Sequence, residues 1–182
     1  ATYSGIENVE VFGGWSAGWD TGFDQFDSGS NFLGGASLAL TDATTLTYTL
    51  TVGDLGAIGS GYTHSFVIDV ALTEKLNYVI QSDYTNIEND GADYDTIGVN
   101  QYLFYTLSDR VAIGGRAEWW KNNGTDYYEF TAGANFQVLP NLKVRPEFRY
   151  QFSPEVVADP SVNYAGLPVD QGIFSIDAII AF

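Results

Sequence analysis

Along most of this chain apolar and polar residues take turns at every second position, the spacing of a β-strand whose two flanks meet unlike surroundings. In residues 45–52 the alternation sets Leu46, Tyr48, Leu50 and Val52 against Thr45, Thr47, Thr49 and Thr51. A column of threonines suits water better than a packed core. Residues 142–152 are the most polarised, with Leu142, Val144, Pro146, Phe148, Tyr150 and Phe152 on one flank and Lys143, Arg145, Glu147, Arg149 and Gln151 on the other. In residues 172–182, Phe174, Ile176, Ala178, Ile180 and Phe182 form an apolar row, while Asp177 and Ser175 lie on the opposite parity. Weaker alternation predicts further strands over 6–20, 32–41, 65–72, 76–84, 96–107, 110–120 and 128–138, about ten in all. Two of these strain the pattern. Pro146 in mid-strand calls for an edge or a bulge, and the parity of 96–107 turns Gln101 to the apolar flank and Tyr102 and Phe104 to the polar one, which a bulge would repair.

The connections alternate too. Short turns are predicted at 41–44, 73–75, 108–110 and 139–141, and longer Gly-, Asp- and Ser-rich loops at 20–30, 53–61, 86–95, 122–126 and 153–171. The expected fold is therefore all-β: one domain over 1–182, an antiparallel up-and-down transmembrane β-barrel with short periplasmic turns and longer extracellular loops. Closure would leave no strand edge unpaired in lipid. A soluble sandwich of half-buried strands is the competing fold; agreement among many separate strands argues against it.

Composition narrows the function. The absence of cysteine removes disulfides, cysteine-held metals and thiol nucleophiles. No run of eighteen apolar residues exists, so a helical span is excluded. The chain has neither an initiator Met nor a signal-peptide pattern, as expected of a mature or trimmed form. A net charge of −16 with only seven Lys and Arg argues against nucleic acid as a partner. His64 is the only histidine, so neither a Ser-His-Asp triad nor a histidine metal site has material to build from, and no enzyme activity and no cofactor are expected.

Inward parity nominates lining residues. Lys143, Arg145, Arg149, Arg116 and Arg110 supply a basic ladder, and Glu10, Asp69 and Asp83 an acidic wall from the first half, where no Lys or Arg precedes Lys75. Charged ladders of this kind select permeants. The alternative is that Glu118, Glu129, Glu147 and Asp177 pair with the basic groups and fill the interior, as narrow barrels do. Trp15, Trp19, Trp119, Tyr128, Tyr150, Phe152 and Phe182 fall near strand ends, where an aromatic membrane-interface belt belongs. Asp20, Asp24, Asp27, Asp90, Asp93 and Asp95 are weak Ca²⁺ candidates, because their spacing does not match an EF-hand loop.

Several stretches carry a family resemblance: VFGGWSAGWDTGFDQFDSGSNFLGG, TLTYTLTVGD, ALTEKLNYVIQSDY, NLKVRPEFRYQF and DQGIFSIDAIIAF. In their order and spacing they are similar to β-barrel porin family 2, the OmpL-like porins of outer membranes, over roughly the C-terminal half to two-thirds of its longer members. The resemblance implies a bacterial outer-membrane barrel acting as a diffusion pore, without catalytic residues. The last strand also resembles the C-terminal strand by which such barrels are read by the barrel-assembly machinery. Outer-membrane lipid, that machinery, and a homo-oligomer or larger envelope complex are the partners this implies. A non-conducting scaffold barrel is the alternative function.

Overall fold

The computed structural model describes residues 1–19, 28–89, 91–154, 163–164, 167–168 and 170–182. Every regular element in it is a strand: β1 (Thr2–Ile6), β2 (Val9–Ser16), β3 (Ser30–Thr41), β4 (Thr44–Asp54), β5 (Ser60–Ala71), β6 (Leu76–Asn89), β7 (Ala92–Ser108), β8 (Val111–Asn122), β9 (Thr125–Leu139), β10 (Leu142–Phe152), the two-residue pair β11 (Asn163–Tyr164) and β12 (Leu167–Pro168), and β13 (Gln171–Ile180). Eleven of them form one up-and-down sheet in the order of the sequence, from β1 to β10 and then β13, while β11 and β12 pair with each other. Strand β1 is not among the elements that the alternation predicts. TYSGI is short, exposed throughout and without a clear alternation, so it gives no period to detect, yet it pairs Thr2 with Phe12 and Tyr3 with Val11.

Four short turns fall where the pattern placed them, and three are held by a hydroxyl accepting a backbone N–H, as turn-forming Ser and Thr do. Thr41 Oγ1 accepts from Ala43 N, Thr73 Oγ1 from both Lys75 N and Leu76 N, and Ser108 Oγ from Arg110 N. Two of the loops expected to be long are instead tight. Strand β6 runs to Asn89 and β7 begins at Ala92, and β8 and β9 are joined across Asn123 and Gly124, both at positive φ. Polar Asn, Asp and Thr residues suggested loop, but the backbone ladder continues through them once the apolar zone is passed, and Tyr84 Oη donates to Asp95 Oδ2 across one such extension. Pro146 keeps its place mid-strand. It stands opposite Ile176 of β13, and the β9 register is the same before it (Val144 with Phe136) and after it (Glu147 with Gly133), so its missing N–H costs a rung and not the alignment.

The sheet divides into two compact units, Ala1–Asp69 with Gln81–Gly98, and Val70–Ile80 with Val99–Phe182. In the first, Val11, Trp15, Phe32, Val52, Phe66 and Ile68 are exposed, and the buried side chains include Asn31 and Thr51. In the second, Phe130, Phe136, Phe148, Phe174, Ile176 and Ile180 are exposed while Glu129 and Gln151 are buried. Among the described residues only Leu55 and Ile87 are buried hydrophobics. This is the inverse of a water-soluble fold, in which buried polar groups are the exception, and it is the pattern of strands that meet lipid on one face.

Candidate functional site

Strands β8, β9, β10 and β13 bring the charged residues of the second unit together in cross-strand rows. Arg116 stands opposite Thr131, and Thr131 opposite Arg149. One rung away, Glu118 faces Glu129, which faces Gln151, which faces Gln171. Glu129 is only 6% exposed and is shared: Arg116 pairs closely with its Oε1, and Arg149 Nε stands 3.5 Å from its Oε2. Arg116 also reaches Glu118 at 3.8 Å, and Thr131 Oγ1 donates to Glu129. A carboxylate this buried is tolerable only with such partners. Further along, Arg145 and Asp177, cross-strand neighbours, form a two-point pair at 2.8 and 2.5 Å, the fork geometry that favours arginine over lysine.

These side chains border a groove of about 460 Å³ on the polar face of the unit, whose lining includes Arg116, Arg145, Arg149, Glu147 and Asp177. Tyr102 and Phe104 line it as well. The parity that looked like a fault in the sequence is thus kept, and these two rings are the lining residues that sequence reasoning passed over. Gln101, turned to the other face, accepts a hydrogen bond from Tyr78 Oη at 2.8 Å, which lowers the cost of its amide there.

The remaining candidates are placed individually. Lys143 lies on the same parity of β10, opposite Ile179 and Gln137. Arg110 stands in the turn between β7 and β8, exposed, rather than within a strand. Glu10, Asp69 and Asp83 belong to the first unit. Glu10 is opposite Ser37, whose hydroxyl bonds Thr47, and both carboxylate oxygens of Asp83 accept from Gln81 Nε2 at 2.9 Å. Asp20, Asp24, Asp27 and Asp90 lie outside the described residues; Asp93 is exposed and Asp95 bonds Tyr84. Among the described residues no cluster of His, Cys, Asp or Glu is arranged to hold a metal.

The aromatic candidates gather at strand ends. Trp119 stands opposite Tyr128 and donates Nε1–H to Asp126 at 2.8 Å; Tyr128, Phe152 and Tyr150 stack in sequence, and Tyr150 Oη bonds Asp170. Trp15, 70% exposed, donates to Ser30 and leans on Phe32. Trp19 is held by its backbone to Leu55, and Phe182 is fully exposed. Rings that are apolar at one end and hydrogen-bonded at the other suit a headgroup boundary. His64 sits among Tyr48, Tyr62, Phe66 and Tyr84, with ring centroids 5.7 to 6.1 Å away, on the exposed apolar side of its strands.

Residues 1–182, the whole chain, match the family described as "Putative beta-barrel porin-2, OmpL-like". The chain belongs to this porin family. Solved structures similar to this OmpL-like porin domain include an anion-selective porin from Comamonas acidovorans (TM-score 0.73, 8% identity, covering 98% of this chain and 56% of that one). A FadL homologue of Pseudomonas aeruginosa gives a TM-score of 0.62 at 13% identity over 97% of this chain and 63% of its own. The NanC porin gives 0.61 at 11% identity over 96% and 93%. The porin domain thus spans 56% and 63% of the first two structures, and at these identities the likeness shows the fold alone. No curated protein matches the chain.

Proposed function

We propose that this chain acts in the bacterial outer membrane as a non-enzymatic, porin-type channel for passive diffusion of small hydrophilic solutes or ions. The observation that carries the reading is the inversion of the sheet: Glu129 with its two arginines is held on one face while Phe174 on the other is 70% exposed. A lipid-facing apolar surface with a polar, groove-bearing reverse is what an aqueous conduit requires. Membership in the OmpL-like porin family supports it.

A second reading has an observation of its own. Arg116, Arg149 and Arg145 are each engaged by a carboxylate, which is how a filled, non-conducting scaffold barrel would neutralise its interior. Liposome swelling with solutes of increasing size separates the two readings. The channel reading expects swelling that falls with solute size and a reversal potential that moves toward cation selectivity in Arg145→Gln/Arg149→Gln; swelling no faster than in protein-free vesicles supports the scaffold.

A further inference from the structure

We propose that the groove on the polar face of the second unit is a binding site for a pyranose sugar; the proposal deepens the channel reading, which gives the solute access. Three features of the groove converge on that class of ligand.

Two glycines stand together on its floor. Gly114 and Gly133 are cross-strand partners, and both line the groove. A Cβ on Gly114 would lie 2.8 Å from Phe104 Cδ1, and one on Gly133 would lie 3.3 Å from Pro146 O. Gly114 thus leaves room for the Phe104 ring to lie against the β8 backbone, and Gly133 adds no side chain beside it.

One border is aromatic. Tyr102 and Phe104 are stacked with centroids 6.0 Å apart and planes inclined by 16°. Phe104 is 42% exposed although its parity places it on the polar face. An uncovered ring among charged groups gains from any ligand that presents a flat apolar face, and the C–H face of a pyranose is such a surface.

On the other border each guanidinium is already engaged by a carboxylate: Arg116 and Arg149 by Glu129, Arg116 also by Glu118, and Arg145 by Asp177. An anion entering here would have to displace a carboxylate from a guanidinium. A neutral polyol does not, because its hydroxyls donate to carboxylates and accept from guanidiniums at once. An aromatic edge beside a row of donors and acceptors already paired with each other therefore favours an uncharged ring sugar over an ion.

The test compares glucose, which presents a ring face, with sorbitol, an acyclic polyol of the same carbon number. Saturation-transfer NMR on the protein in micelles reads binding directly, and liposome swelling reads passage. Glucose should show transfer and sorbitol little; Phe104→Leu, which keeps the bulk but not the ring, should weaken glucose binding about three- to ten-fold. Phe104→Tyr should restore it, and Gly114→Ala should weaken it. Equal signals for glucose and sorbitol, or glucose binding unchanged in Phe104→Leu, overturn the sugar site and leave the channel reading intact if swelling persists. Glucose binding that needs Phe104 in a protein that neither swells vesicles nor conducts salt upholds the site and overturns the channel.

Discussion

The two units solve the same problem with different chemistry. Both turn aromatic and aliphatic residues outward, and both must satisfy a polar face. The first unit contains no Lys or Arg and more than half of the acidic residues. Its polar contacts are short and largely neutral: Ser37 with Thr47, Thr63 with Thr85, Ser16 with Asn31. All seven Lys and Arg lie in the second unit, where Glu129 joins two arginines and Asp177 a third. Alternation requires only that a flank be polar. Whether the flank is built from hydroxyl pairs or from ions decides how much one substitution costs, since a neutral pair degrades gently and a buried ion left alone does not.

Four measurements would break or sharpen that comparison. The largest effect should be common to both units: Phe148→Arg in the second and Phe66→Arg in the first should each destabilise by about 2–4 kcal/mol in urea unfolding from lipid vesicles, as an arginine on a mid-membrane lipid face does. A large cost in one and none in the other would show that the apolar faces are not equivalent. Next, Glu129→Ala should cost about 2–3 kcal/mol, because Arg116 and Arg149 lose their shared partner while remaining about one-third exposed. Glu129→Gln should fall between it and the parent. Ser37→Ala, its counterpart in the first unit, should cost about 1 kcal/mol; if it matched Glu129→Ala, the contrast between hydroxyl and ionic faces would fail. The smallest effect belongs to a turn that both kinds of strand use. Thr73→Ala removes an acceptor for two backbone N–H groups at an exposed site and should cost about 0.5 kcal/mol, read as a small fall in the urea midpoint.

Much of the candidate site is legible in the alternation of single strands. The parity of β10 put Lys143, Arg145, Glu147 and Arg149 on one flank, and that of β13 added Asp177. Less legible was Glu129 as the hub of the network, because Glu118, Glu129 and Glu147 look alike in sequence and only cross-strand register tells which one meets two arginines. The Tyr102 and Phe104 parity looked like an error for a related reason. A single strand cannot show that Gly114 on the neighbouring β8 leaves room for the Phe104 ring.

The sequence by itself determined the strand period, the unlike flanks, four of the turns and the family, since each is written in neighbouring residues or in their order. Tertiary structure decided the first strand, the tight ends of two hairpins, which carboxylate holds which guanidinium, and the groove over paired glycines. Those depend on register between strands, and register is set by backbone hydrogen bonds between residues far apart in the chain, which no local alternation specifies.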